Sequence, residues 1–379
     1  SGATGSVQTT TRNFNAGANY TFNGSTYNTG TGMPATVTGV VSFSGFAPTL
    51  GASHQFDSTV TVGTPMTITS PNIMTIGSTG IFNNSSQNIS GTGSFVTNTG
   101  ARLIIQTFST TDSLMPAAGA TTGLFRLTGL TISSGTIVNY NGFTTGIQPG
   151  SRFPASIGTL IISNPGSLAL SAPLTVSGLL FSSTGRVQTT ATNLLTVNVS
   201  TGNSIYRIVN TTAGGCVDGP MAIQFPANYT GGGTFLYPIG KTTPSTAFEG
   251  FELINPTTGA GGTYTLMLEA FNAAPAGATL GTGLTGTIGA YYWQATPSGA
   301  GSLGSLDNIR VTHPSIASTN RLGQSSTLGG AYNSLGGGFL TNDGSGNMLM
   351  SGIPLASMVG GSFFSTGAGS TSGVFTGGT

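Results

Sequence analysis

Short apolar runs recur every six or seven residues along much of this chain, and few folds can be built on so tight a spacing. Leu168, Leu174, Leu180, Val187 and Leu194 mark one such stretch. Within the runs apolar and polar residues alternate, as in Thr59-Val60-Thr61-Val62, Met66-Thr67-Ile68-Thr69 and Tyr264-Thr265-Leu266-Met267-Leu268. A period of two places the apolar set on one face of a strand. Gly, Pro, Asn and Ser separate the runs. Hairpin sandwiches usually space their turns by roughly 8–12 residues. A spacing of six or seven fits short strands joined by tight corners, three to a coil of roughly 20 residues. The expectation is a parallel β-helix, or solenoid, whose coils bury apolar residues against the coils above and below. An irregular sandwich of very short strands is the alternative. No segment combines a helical period with caps, so the chain is expected to be all-β.

Weak matches recur in order along the first 220 residues. Phe22-Asn23-Gly24 returns as Tyr140-Asn141-Gly142, Met33-Pro34-Ala35 as Phe153-Pro154-Ala155, and Asn72-Ile73-Met74-Thr75-Ile76 as Asn193-Leu194-Leu195-Thr196-Val197. Ser78-Thr79-Gly80 and Gly93-Ser94-Phe95-Val96 return as Ser200-Thr201-Gly202 and Gly214-Gly215-Cys216-Val217, so all five offsets fall between 118 and 122 residues. Two related solenoid units are expected, at 13–105 and 130–222, with an N-terminal segment 1–12 and a connecting segment 106–129. From about Phe225 the runs lengthen and spread out, the pattern of an antiparallel β-sandwich, placed at 223–320. Residues 321–379 form a Gly- and Ser-rich C-terminal segment.

Charge is nearly absent. The 379 residues include nine Lys or Arg and eight Asp or Glu, about 4%, against roughly 25% in ordinary soluble domains. Net charge is +1, which leaves no basic footprint for nucleic acid. No stretch approaches the 18 apolar residues of a transmembrane helix. The single cysteine, Cys216, cannot form an internal disulfide and reads as a small buried hydrophobe, with an intermolecular bridge or reactive thiol as alternatives. The chain begins at Ser1 without Met or a signal peptide, as a processed form or an excised segment would.

Enzymatic chemistry has little to draw on. A glycosidase needs two carboxyl groups about 5–10 Å apart, and the candidates are Asp218, Glu249, Glu252 and Glu269. Glu249 and Glu252 are three apart, which on a strand puts them on opposite faces. A Ser-His-Asp triad has only His54 and His313 to use, and neither lies in a nucleophile motif. Asp343 and Asn347 in Asn342-Asp343-Gly344-Ser345-Gly346-Asn347 resemble part of a calcium loop but lack its closing Glu. No phosphate-binding glycine motif is present. The expectation is therefore a protein that is not an enzyme, with no catalytic, cofactor-binding or metal site.

Several stretches carry a resemblance. They are Tyr20-Thr21-Phe22-Asn23-Gly24 with Met33-Pro34-Ala35, Asn164-Pro165-Gly166-Ser167-Leu168-Ala169-Leu170 with Leu174-Thr175-Val176-Ser177-Gly178, Val217-Asp218-Gly219-Pro220-Met221, Tyr237-Pro238-Ile239-Gly240-Lys241 and Gly323-Gln324-Ser325-Ser326. Together they make the chain similar to the large secreted and cell-surface repeat proteins of the Bacteroidota, many exported by the type IX route. That resemblance implies an extracellular or cell-surface location and an adhesive or structural role. Asp57-Ser58-Thr59 and Asp112-Ser113-Leu114 resemble the O-glycosylation motif of those bacteria and point to glycans on Ser58 and Ser113; ordinary Asp-Ser turns are the alternative. Eight Asn-x-Ser/Thr sequons, at Asn19, Asn23, Asn83, Asn84, Asn88, Asn198, Asn210 and Asn228, are expected by chance in so Asn- and Thr-rich a chain.

Two functions follow. Near-zero net charge lowers the barrier to self-association, and a solenoid has open ends. The first reading is thus a surface protein that polymerises with copies of itself into a filament or layer by strand addition, with Val374 and Phe375 anchoring the inter-subunit strand. The second is a carbohydrate-binding, or less readily carbohydrate-processing, β-helix protein that stacks surface glycans on Tyr291, Tyr292 and Trp293, although Trp293 reads first as a core aromatic.

Overall fold

The computed structural model describes residues 14–24, 27–106, 113–142, 146–163, 165–182, 184–199, 205–207, 215–242, 247–340, 347–350 and 362–369. These are essentially all β in several sheets, with one 3-10 turn at Gly30–Gly32. Among the described residues no helix is long and apolar enough to cross a membrane. The chain divides into two compact units, Ser1–Val176 and Ser177–Thr379.

The first unit is built from short strands: β1 (Tyr20–Phe22), β2 (Thr36–Val37), β3 (Val41–Phe43), β4 (Thr49–Leu50), β5 (His54–Phe56), β6 (Thr59–Val62), β7 (Met66–Ile68), β8 (Ile73–Ile76), β9 (Ile81–Asn83), β10 (Ile89–Thr97), β11 (Arg102–Ile105), β12 (Phe125–Thr131), β13 (Ile137–Tyr140) and β14 (Ser156–Ile162). They pair in parallel, in three rows. In the first row, one register column runs Tyr20, Val41, Val60, Phe82, Leu103, Val138, Leu160 across β1, β3, β6, β9, β11, β13 and β14. A second row joins β2, β5, β8 and the later parts of β10 and β12, through His54, Met74, Phe95 and Leu130. The third row joins β4, β7 and the first residues of β10 and β12, through Thr49, Thr67, Ser90 and Arg126. Residues 125–131, partly inside the segment expected to be a connector, therefore belong to these rows.

Burial follows the alternation. In β6, Val60 and Val62 are fully buried while Thr59 and Thr61 are partly exposed. Stacked Val, Ile, Leu and Phe columns then gain roughly 1.5–3 kcal/mol per side chain from leaving water. The polar composition has its own place at the corners. Asn72 Nδ2 donates to Leu50 O at 3.0 Å, Thr79 Oγ1 to Asp57 O at 2.7 Å and Asn84 Nδ2 to Gln106 O at 3.0 Å, each across 22 residues. Short polar side chains thus satisfy the carbonyls that corners leave free of the ladders.

Glycine serves the same stacking. A Cβ on Gly39 would lie 2.0 Å from Ala18 O, on the neighbouring backbone. Gly39→Ala is expected to destabilise the unit by about 1–3 kcal/mol, read as a lowered melting midpoint. Gly63→Ala, whose Cβ would meet Phe43 O at 3.4 Å, should shift it far less. Equal melting of the two variants would contradict the close approach at Gly39.

In the second unit the direction of pairing changes across one strand. Met221–Phe225 lies parallel to Leu195–Asn198 on one side and antiparallel to Tyr264–Phe271 on the other. From there an antiparallel sheet runs in the order Met221–Phe225, Tyr264–Phe271, Tyr292–Ser298, Ser362–Gly369, Asn320–Ser325, Ala331–Ser334. A second antiparallel sheet runs Thr234–Tyr237, Phe251–Ile254, Asn308–His313, Asn347–Met350, Gly338–Leu340. Their aromatic residues meet: Phe225 and Phe235 at 4.9 Å between ring centroids, Phe251 and Phe364 at 5.2 Å.

Candidate functional site

A buried cluster of polar and aromatic groups lies in the second unit, around Glu249. This residue sits between the two-residue strand Ala247–Phe248 and the strand Phe251–Ile254, where Phe248 and Phe251 carry it into the core. It is 1% exposed. Trp293 Nε1 donates to its carbonyl at 2.8 Å. Neither carboxyl oxygen has a hydrogen bond of good geometry. The nearest basic group is His313 at the end of Asn308–His313, with Nε2 3.8 Å from Glu249 Oε1. The ring of Tyr291 stacks on that imidazole at 3.6 Å.

Burial decides the protonation states. It pushes the Glu249 carboxyl up to about 8, against a smaller opposing pull from Lys241 and Arg186. Asp218 adds to the rise, and Asn272 favours the charged form. Burial likewise lowers His313 to about 4. The backbone N–H of Ser315 donates to His313 Nδ1 at 3.0 Å, so the neutral ring carries its proton on Nε2, facing Glu249. At neutral pH the pair is an uncharged acid beside an uncharged imidazole, not an ion pair. Its neighbours are more conventional. Lys241 Nζ donates to Glu269 Oε1 at 2.7 Å and lies over the Phe271 ring. Arg186 Nη1 donates to Cys216 Sγ at 2.7 Å, and Thr242 Oγ1 to Asp218 Oδ2 at 2.5 Å. Cys216 is a buried thiol outside any disulfide.

The carboxylates singled out for hydrolysis have different partners: Glu249 faces His313, Glu252 pairs with Arg310, Glu269 with Lys241 and Asp218 with Thr242. Among the described residues no group of three or more His, Cys, Asp or Glu could hold a metal. His54 lies elsewhere, with Nδ1 2.8 Å from Pro34 O and the ring buried.

The three aromatic residues expected to stack sugars separate. Trp293 is 1% and Tyr291 5% exposed, and both face the core, where Trp293 meets Phe251 and His313 edge-on. Tyr292, the residue between them, points to the other face and stacks on Phe271 at 4.5 Å. The three rings therefore make no common platform for a sugar. A cavity of about 440 Å³ does occur, lined by Gln324, Ser326, Thr327, Asn333, Ser334 and Ser362 among others, all uncharged.

Ser58 is half-buried at the start of the loop into β6, beside an Asp57 carboxylate that accepts from Gln55 Nε2 at 2.8 Å. The Ser113 hydroxyl is enclosed: its Oγ is buried and would lie 2.1 Å from a Cβ on Gly150. A glycan on Ser113 would require that loop to open. Asn84 is fully buried and bonds the Gln87 and Gln106 carbonyls. Val374, Phe375 and Asp343 lie outside the described residues.

Arg152 has no signal in the sequence beyond its isolation. Its guanidinium donates to Pro116 O, Leu127 O and Phe125 O at 2.6–2.7 Å, which ties the 113–131 region to the turn before β14. Comparison of the chain with known protein-family models, with curated proteins and with solved structures gives no match.

Proposed function

We propose that this is an extracellular structural or adhesive protein that assembles with copies of itself into a filament or surface layer by strand addition. In this reading the three parallel rows of the first unit are the three faces of a β-helix, and the two antiparallel sheets of the second form a β-sandwich. The related units at 13–105 and 130–222 and the similarity to Bacteroidota surface proteins belong to the same reading. So do the absence of an enzymatic role and glycans as further partners.

One observation carries it. Among the described residues the ladder partner of β1 is β3 and that of β2 is β5, so the described part of the first coil leaves the other edges of these strands unpaired. Edge strands usually avoid association by carrying charge, Pro or bulges. Here no charged residue occurs between Arg12 and Asp57. The half-buried rings of Phe22 and Tyr27 stack on each other at this end, adding apolar surface beside the edge.

The test is assembly itself. At neutral pH and high concentration the protein is expected to give fibres or sheets in negative stain and a mass far above 37.8 kDa by light scattering. Thr21→Lys, a change at an exposed position of β1, should reduce assembly at least tenfold without lowering the melting midpoint. A monodisperse monomer under these conditions overturns the reading. The carbohydrate alternative has one observation in its favour, the uncharged hydroxyl- and amide-lined cavity at Gln324, Asn333 and Ser362. Saturable binding of a polysaccharide, lost in Asn333→Ala, would support it.

A further inference from the structure

The strand that closes the second unit, Ser362–Gly369, comes from the far end of the chain and fills a slot in the middle of a sheet. It pairs antiparallel with Tyr292–Ser298 on one side, Trp293 opposite Phe364, and with Asn320–Ser325 on the other, Gln324 opposite Phe364. Phe364 is fully buried and packs against Phe251. Ser365 Oγ donates to Tyr291 O at 2.8 Å and Thr366 Oγ1 to Tyr291 Oη at 3.1 Å. Without this strand two sheet edges would be unpaired and the Tyr291–Trp293–Phe251 core uncovered. All that binds it is ladder hydrogen bonds and side-chain packing, which act identically on the same eight residues from another copy.

We infer that Ser362–Gly369 is the exchanged strand: in the assembly it leaves its own slot and fills that of the next copy, giving an open, head-to-tail chain. Three observations allow a second copy to be its source. Eleven residues, 351–361, separate Asn347–Met350 from Ser362–Gly369, a contour length of roughly 40 Å. No charged residue follows Asp343, so the strand and its flanks carry no ion that would have to be desolvated on transfer. The slot's entry at Ser362 opens into the cavity lined by Gln324, Ser326 and Thr327, where Gln324 Nε2 donates to Ser362 Oγ at 2.8 Å. That leaves room for a chain arriving from outside. This places the inter-subunit anchor at Phe364, and it rests on the reading that the protein self-assembles.

Paired cysteines distinguish the two sources of the strand. Gln294 and Phe363 stand directly opposite and are both half-buried, within reach of a disulfide in such a pair. The full chain carrying Gln294→Cys and Phe363→Cys is assembled, oxidised and run on a denaturing gel without reductant. A ladder of dimers, trimers and larger species that collapses to monomer on reduction is expected. Asn320→Cys with Ala368→Cys, half-buried partners at the other end of the strand, should give the same ladder and covers a failure of the first variant to fold. Assembled material whose disulfides close only within single chains, or only as dimers, overturns the exchange while leaving self-assembly standing. Monomers alone, with no assembly by light scattering, overturn both.

Discussion

Replacing Glu249 with Gln is expected to stabilise the second unit by about 5 kcal/mol above pH 8 and to change little below pH 4.5, with the difference growing between those limits. The carboxyl is raised from 4.5 to about 8 in the fold. Between these values the unfolded chain has released a proton that the folded chain still holds. Unfolding is then favoured by rising pH, and each tenfold difference in proton affinity between the two states contributes about 1.4 kcal/mol. His313 acts in the opposite sense. Its imidazole is lowered from 6.5 to about 4, so the unfolded chain binds a proton first as pH falls, and about 3 kcal/mol of stability is lost between pH 6.5 and 4. In the parent protein the two effects oppose each other from pH 4.5 to 6.5, and stability declines from there to pH 8. In Glu249→Gln only the His313 limb remains: stability rises to about pH 6.5 and then levels. Denaturant unfolding of both proteins from pH 4 to 9 reads this directly. Parallel curves for the two proteins would mean that Glu249 is not the buried acid responsible.

Much of the architecture is legible in the sequence because short parallel strands leave a local signature. In β6 and β7 the buried residues are Val60 and Val62, Met66 and Ile68, the apolar members of visibly alternating runs. Runs about 20 residues apart come into register, so Tyr20, Val41, Val60 and Phe82 share one column. The Asn, Thr and Gly content, which looks like low complexity, follows from corners that need short side chains or none.

The site is much less legible, for two physical reasons. The first is parity. Adjacency groups Tyr291, Tyr292 and Trp293, yet neighbours on a strand face opposite ways. Tyr291 and Trp293 share the buried face, and Tyr292 does not. The second reason is distance along the chain. Glu249 meets His313 across 64 residues and Phe251 meets Phe364 across 113, and nothing near Glu249 announces either contact. The closing strand carries a run, Ser362-Phe363-Phe364-Ser365, too short to stand out in a Gly- and Ser-rich tail. Only its pairing with two distant strands gives it a central place.

Phe95→Ala should cost the first unit about 3–5 kcal/mol, near the upper end of what a single truncation does. Phe82, Phe95 and Phe125 are fully buried and come from three different rows, with centroids 5.0 Å apart for Phe82–Phe95 and Phe95–Phe125 and 5.8 Å for Phe82–Phe125. The cost depends on whether the surroundings can collapse into the space left behind. Here they are held apart: Phe95 is paired in register with both Met74 and Leu130, and Phe82 with Val60 and Leu103. The cavity should therefore persist. Phe46→Ala, at a position 79% exposed, should stay within about 0.5 kcal/mol of the parent. Denaturant unfolding of the three proteins measures both effects, and a loss below about 1 kcal/mol for Phe95→Ala would contradict the three-ring packing. Repeating the measurement in high salt separates the forces further. The two described ion pairs, Lys241–Glu269 and Arg310–Glu252, both lie in Ser177–Thr379, whereas the first unit rests on apolar columns and inter-strand hydrogen bonds. Its stability, and the penalty at Phe95, should hold when added salt screens surface charge, because this stack has almost no charge to screen.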